Sequence, residues 1–359
     1  MERNQQQNIA TPLLAWYAEH RRDLPWRETR DPYRIWIAEV MLQQTQVATV
    51  LPYYARFMAR FPTLEALASA SLDDVLKLWE GLGYYSRARH LHSATKKVVA
   101  EFDGQLPDTM EGLMSLPGTG RYTAGAVLSI ARGQDLPAPD GNVRRVLCRV
   151  FAIEQDVTRS AGQRYLWQLT TSLLPPGRAG DFNQALMDLG ATVCTPRAPL
   201  CHECPLTDTC RAHQTGRQAQ FPVRAPRRPA PHYEVAAGVV WDGDARFLIA
   251  QRLAEGLLGG LWEFPGGKRE SEETLEDCLK RELQEELAIA VAVGAPLTVV
   301  QHAYTHFRIT LHAFHCRLVG GRPRAVSCAD WAWIKLEDVD CYAFSAADHK
   351  IIDALRTSS

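Results

Sequence analysis

Long apolar runs are missing from this 359-residue chain, and none approaches the length needed to cross a bilayer. The N-terminus, MERNQQQNIA, is polar and lacks an apolar h-region, so no secretory signal is read there and a cytoplasmic setting is expected. An excess of charge of one sign is missing too: 40 Lys/Arg meet 41 Asp/Glu. That balance conceals an asymmetry. Residues 1–225 hold 25 Lys/Arg against 22 Asp/Glu, a net +3, and residues 226–359 hold 15 against 19, a net -4. A mildly basic first part is compatible with a polyanion partner and is too weak to establish one. What is present is ordinary for a soluble globular protein, with 46% hydrophobic and 23% charged residues. The length favours two or more cores.

The chain divides at GRQAQFPVRAPRRPAPH, residues 216–232, where four prolines and four arginines make a semi-rigid linker. Upstream the patterns are helical. Asp31-Pro32 starts one helix as N-cap and first residue, and others are expected near 47–60, 64–69, 72–80, 86–102, 121–132, 142–152, 162–173 and 181–192. Downstream, VAAGVVWDGDARFLIAQR predicts two strands around an Asp-Gly turn, and FRITLHAFHCRLV alternates as a strand. Helices are expected at about 273–287 and 346–356. The fold class is therefore an all-α body (8–215) joined to a smaller α+β domain (233–357).

Four of the nine cysteines fall in 17 residues, as Cys194-x6-Cys201-x2-Cys204-x5-Cys210. A C-x2-C pair suits zinc as well as iron, but four thiolates in one loop after a helix fit a cubane better. The other five are most simply buried small hydrophobes. His202 and His213 are expected at the surface, and Arg197 is placed to meet a phosphate at the rim of the loop.

LPGTG at 116–120 links two helical stretches, and Gly118 and Gly120 present N–H groups at a helix start, an anion site. An ordinary Gly-rich connector is the plain alternative. Beside the cysteine cluster, a helix-hairpin-helix that grips DNA phosphates is preferred. In WIAEVMLQQT, Glu39 has Ile35, Trp36 and Leu42 on its helical face, so burial would raise its pKa and keep it protonated, as a general acid needs. Asp140, before a helix, reads equally as an N-cap and as a carboxylate able to stay ionised beside a developing cation. Two carboxylates tuned in opposite directions are the equipment for cleaving a glycosidic bond.

EVMLQQTQVATV, GLGYYSRARHLH, LPGTGRYTAG, DGNVRRVL, FNQALMDLGATVC and the four cysteines, in that order, resemble the adenine DNA glycosylase (MutY) family of the endonuclease III superfamily. The resemblance implies a helix-hairpin-helix glycosylase body with a 4Fe–4S cluster on Cys194, Cys201, Cys204 and Cys210, followed by a Nudix-like domain. It implies a monomer acting in base excision repair on double-stranded DNA, where adenine opposite 8-oxoguanine or guanine is removed to leave an abasic site. Such a base must first leave the stack. Glu39 would protonate adenine at N7, and Asp140 would stabilise the sugar cation, supported by Tyr122 and Asn142. Trp26, Arg27 and Gln184 would line the adenine pocket; Gln44, Thr45, Leu82 and Tyr84 would probe and wedge the stack. Superfamily members that also nick the backbone carry a lysine where this chain has Tyr122, so a monofunctional enzyme is expected. The family's Phe-Ser-His lesion-reading loop is here Tyr304-Thr305-His306, which keeps a hydroxyl and an imidazole.

The second domain also carries a nearly complete Nudix box: Gly267, Glu273, Arg281, Glu282, Leu283, Glu285, Glu286 and Ile289 fit, and Ala288 stands where glycine is expected. Three readings compete: inherited carboxylates in a lesion-recognition domain, a Mg²⁺ site hydrolysing a nucleoside diphosphate derivative, and a solvated acidic face neutralised by Lys280 and Arg281. The first is preferred. A non-enzymatic iron–sulfur DNA-binding protein is the remaining rival, and it would have no use for both Glu39 and Asp140.

Overall fold

The computed structural model describes residues 3–224, 229–243 and 245–358, so part of the expected 216–232 linker lies outside the described residues. The chain packs into two compact units. One comprises residues 1–68 with 93–227, and the other 69–92 with 228–359. No described helix is long and apolar enough to cross a membrane.

The first unit is helical, from α1 (Arg3–His20) through α2 (Pro32–Leu42), α3 (Val47–Arg60) and α4 (Leu64–Ala68). After α5 (Leu72–Trp79) and α6 (Ser86–Glu101), in which the boundary between units falls, it continues with α7 (Met110–Met114) and α8 (Arg121–Arg132). It is completed by α9 (Gly141–Val150), α10 (Ser160–Leu173), α11 (Ala179–Thr192) and the short α12 (Arg211–Gln214). The ends follow local chemistry. Asp31 caps α2 by accepting from the Tyr33 N–H at 2.9 Å, with Pro32 in the first turn. Its core gathers apolar side chains of α1, α9, α10 and α11, among them Leu13, Val146, Leu147, Leu166, Phe182 and Leu186. α9 and α11 approach so closely that a Cβ on Gly190 would lie 2.6 Å from Asn142 Cβ, so only glycine fits there.

The second unit holds a seven-stranded mixed sheet of β1 (His232–Trp241), β2 (Phe247–Gln251), β3 (Trp262–Glu263), β4 (Gly266–Lys268), β5 (Ala290–Ala303), β6 (Arg308–Gly320) and β7 (Asp330–Ile334). The central order is β3-β2-β1-β6-β5, with β4 paired to β1 and β7 to β2. β1 and β6 run parallel from His232↔Arg308 to Trp241↔Arg317. Period-2 alternation sends Ala236, Val240, Leu248, Ala250 and Cys316 to one face, under Cys278, Leu279, Leu283 and Leu287 of α13 (Leu275–Leu287). Val239, Phe247, Ile249 and Leu311 point the other way, against Ile351, Ile352 and Leu355 of α14 (Ala346–Ser358). The 14-residue β5 escaped the sequence reading, because Gly294 and Pro296 interrupt it where its register on β6 shifts.

Residues 69–92, read from sequence as part of the helical body, pack with the sheet unit. Glu80 accepts from the Phe344 N–H at 2.7 Å and meets His349 at 2.8 Å, and Lys77 donates to the Tyr342 carbonyl at 2.9 Å. Arg89 donates to the Gly259 carbonyl at 2.7 Å. Such contacts span more than 160 residues and have no local pattern.

Candidate active site

α2 is buried nearly all round by Ile35, Trp36, Ile37, Ala38, Val40 and Met41. Glu39 follows that face inward and is only 5% exposed. Trp36 also reaches the hairpin loop, donating its Nε1–H to Thr119 Oγ1 at 3.3 Å. In that loop Gly118 takes φ 72°, which disfavours any Cβ, and Gly120 is the N-cap of α8. α8 then brings Tyr122 to Glu39, and the phenol donates to Glu39 Oε2 at 2.5 Å. The resemblance implied support of Asp140 by Tyr122. The hydroxyl instead goes to Glu39, because the first turn of α8 packs on α2.

Asp140 is the N-cap of α9 and faces the same cavity as Glu39. The N-cap reading of it is seen directly, and its carboxylate also lines the cavity. One oxygen accepts from the Val143 N–H at 2.7 Å and the other from Asn142 Nδ2 at 2.9 Å. Asn142 is held in turn by Arg145, whose Nη2 reaches Asn142 Oδ1 at 2.9 Å and whose Nε donates to the Cys194 carbonyl at 2.8 Å.

The opposite tuning expected from the sequence is not found: burial raises both acids, and they differ in the groups that oppose the rise. Burial pushes Glu39 up to about 7, the Tyr122 hydrogen bond pulls it back, and the Asp140 charge adds to the rise. Asp140 is also raised by burial, but the Val143 N–H, Asn142 and the Arg145 charge all favour its carboxylate. Tyr122, buried beside both acids, is raised well above its ordinary value and stays a hydrogen-bond donor.

One cavity of about 940 Å³ collects Trp26, Arg27, Glu39, Gln44, Thr45, Tyr122, Asp140, Asn142 and Gln184. Trp26 is both core and cavity wall, buried edge-on to Tyr54. Arg27 is immobilised by a residue the sequence reading passed over. Asp188, with a fully buried side chain, accepts from Arg27 Nη2 at 2.7 Å, from Arg27 Nη1, and from Arg22 Nε at 2.7 Å. Its only signal was an acid between Met187 and Leu189 on a helix otherwise turned to the core.

Cys194, Cys201, Cys204 and Cys210 line one small chamber with Val146, Val150, Leu189 and Leu206. Arg149, buried at 2% exposure, donates to the Thr195 and Pro196 carbonyls at 2.7 and 2.9 Å and meets Cys194 Sγ at 3.4 Å. A convergent apolar chamber of four thiols, with a fixed cation against one sulfur, fits a cluster of thiolate-bound iron. His202 is exposed on Glu203, and His213 stands at the chamber rim with Gln218. Arg197 is exposed.

In the second unit, Tyr304, Thr305 and His306 form the loop between β5 and β6. Tyr84, with φ 49°, brings its hydroxyl within 2.9 Å of Thr305 Oγ1, while Leu82 is buried at 5% exposure, as a core residue would be. The Nudix-box acids are threaded on one arginine: Arg281 reaches Glu273 at 2.8 Å, Glu282 at 3.0 Å and Glu285 at 3.2 Å. Lys280 turns to Asp277.

Residues 37–172 match the HhH-GPD superfamily base excision DNA repair protein family, 194–210 the iron-sulfur binding domain of endonuclease III, and 236–354 the NUDIX domain. An adenine DNA glycosylase of Rattus norvegicus is 42% identical over 94% of this chain and 76% of its own length. One of Homo sapiens is 41% identical over 94% and 72%. The chain belongs to the adenine DNA glycosylase family. A more distant member, from Schizosaccharomyces pombe, is 32% identical over 91% of this chain and 85% of its own. Among solved structures, a thermostable thymine-DNA glycosylase aligns with a TM-score of 0.55 at 30% identity, over 59% of this chain and 98% of that one. The body of an endonuclease III–DNA complex shares the fold, with a TM-score of 0.53 at 23% identity over 60% and 98%. The chain is thus an adenine DNA N-glycosylase of base excision repair whose cysteine loop holds a 4Fe–4S cluster.

Proposed function

We propose that this glycosylase removes adenine paired with 8-oxoguanine or guanine in duplex DNA and leaves the abasic site uncleaved. The observation that carries the chemistry is Glu39 buried beside the Tyr122 hydroxyl, poised near 7, with Asp140 held as an N-cap in the same cavity. Glu39 gives its proton to N7 of the flipped base, which makes adenine a leaving group. Asp140 stabilises the oxocarbenium ion that develops at C1′, oriented by Asn142, until water adds. Trp26, Arg27 and Gln184 hold the base, and Gln44 and Thr45 meet the strand at the cavity mouth. Gly118 and Gly120 turn backbone N–H groups toward phosphate. The cluster ties the Cys194, Cys201, Cys204 and Cys210 loop to the end of α11 and carries no step of the cleavage. With Tyr122 in place of an amine nucleophile, no Schiff base forms and the sugar–phosphate backbone stays intact.

The helical unit, residues 1–68 with 93–227, carries the catalytic cavity, and the unit of residues 69–92 with 228–359 reads the lesion, where Tyr304, Thr305 and His306, with the exposed Tyr84, contact the 8-oxoguanine partner. The box carboxylates are read as an inherited acidic face because the chain belongs to the adenine DNA glycosylase family, and Arg281 pairs with three of them. The test is single-turnover adenine release from duplexes with 8-oxoguanine, guanine or thymine opposite. Fast release from the first two supports the reading, and no release from the first sinks it.

A further inference from the structure

Beside the catalytic cavity lies a second cavity of about 320 Å³, lined by residues of α1, the loop 27–30, the end of α8 and the start of α11. The two cavities share three residues, Arg27, Ile130 and Gln184, so those side chains are the partition between them. The three are not equally fixed. Arg27 is clamped on the fully buried Asp188 carboxylate. Gln184 donates at 3.2 Å to the carbonyl of Gly180 one turn back, a long bond within its own helix that a rotamer change breaks at little cost. On its far side the second cavity reaches solvent past the exposed Glu28, Arg30 and Arg178. Its walls carry Tyr17, Thr29 and Asp181, donors and acceptors of the kind a polar heterocycle needs.

We propose that this chamber is the exit route of the excised purine, with Gln184 as the moving leaf and Arg27 as the fixed post. The inference rests on the glycosylase reading above. The base enters from the DNA side while still attached to the strand. Cleavage breaks the C1′–N9 bond, with the electron pair leaving on the base, whose N7 has taken the Glu39 proton. The hydroxyl of water bonds to C1′, and the proton that water releases returns to the carboxylate pair. Neutral adenine is then free, but the abasic strand still fills the entrance. A rear opening lets the small product leave before the large one, and product departure often limits turnover in enzymes that grip their product.

The test uses the full-length, cluster-loaded protein and a duplex with ¹⁴C-labelled adenine opposite 8-oxoguanine, with enzyme in excess. Bond breaking is read by alkaline scission of the quenched strand. Base departure is read by rapid filtration through a membrane that retains the protein–DNA complex. The double variant Glu28→Trp/Arg178→Trp narrows the chamber mouth without touching the catalytic cavity, and Arg178 gives up only an exposed pair with Asp181. In wild type, free base appears as fast as the bond breaks. In the tryptophan variant, bond breaking stays at the wild-type rate and free base lags by about tenfold. Glu28→Ala/Arg178→Ala, which removes the same charges without bulk, shows no lag.

Equal rates of breaking and departure in the tryptophan variant overturn the exit route. So does a lag in the alanine variant, which would make the effect electrostatic rather than steric. Wild-type protein that breaks no bond on this duplex instead overturns the glycosylase reading on which the route rests.

Discussion

Two groups of carboxylates in this protein have opposite fates. Glu39 and Asp140 sit in a cavity of the helical unit, and no arginine ion-pairs with either among the described residues. Burial dominates there and raises both. Glu273, Glu282 and Glu285 of the second unit share Arg281, and Glu273 is pulled down to about 2, chiefly by that guanidinium. Glu286 is the informative exception. It lies on the same helix without an Arg281 bond, is half-buried, and is pushed up to about 7, chiefly by desolvation. Burial thus raises Glu39, Asp140 and Glu286, while the Arg281 guanidinium lowers Glu273.

The largest expected break in this comparison comes from Glu39→Gln. It keeps the acceptor for Tyr122 but has no proton to give, so single-turnover excision falls by roughly 10²–10⁴ while duplex affinity holds. Asp140 follows. Asn is as good an N-cap as Asp, so Asp140→Asn keeps the melting temperature and lowers excision by about 10²–10³, the loss of a charge aimed at the developing cation. Asp140→Ala additionally costs about 1 kcal/mol of stability in denaturant titration.

Acidity offers a finer probe. A general acid raised to about 7 makes excision fall as pH rises through that value, while protonation of Asp140 sets the fall on the acid side, above the ordinary aspartate range. Tyr122→Phe removes the bond that holds Glu39 down, so the alkaline limb of the pH–rate profile moves to higher pH. A limb that stays put or moves lower removes Glu39 as the titrating acid.

Smaller effects test the second group. Ala288 caps α13 at φ 55°, the left-handed conformation that glycine takes without strain, and Ala288→Gly should stabilise the chain by about 1 kcal/mol in denaturant unfolding. Arg281→Gln breaks exposed or half-exposed pairs, changes stability by about 0–1 kcal/mol and leaves adenine excision at its wild-type rate. With 8-oxo-dGTP and Mg²⁺ the full chain shows no hydrolysis; turnover abolished by Glu285→Gln would reopen the hydrolase reading.

Much of the scaffold was legible before folding was considered. The 47–60 and 121–132 helices coincide with α3 and α8, and the alternation in FRITLHAFHCRLV matches β6. The cysteine spacing pointed to iron and sulfur because four ligands in one loop need little help from the rest of the chain. Other features were illegible for a common reason: they depend on partners remote in sequence. Asp188 meets Arg27 across 161 positions, the Tyr122 hydroxyl finds Glu39 across 83, and Glu80 reaches His349 across 269. No window of local sequence contains both members of such a pair.

The sequence by itself determined the reagents: two acids, a phenol without an amine nucleophile, four thiols in one loop, and an arginine one residue before Glu282. Tertiary structure alone decided how each acid titrates and which neighbour it serves. A carboxyl's proton affinity depends on how much water is excluded around it and which charges lie within a few ångströms, and both are set by enclosure.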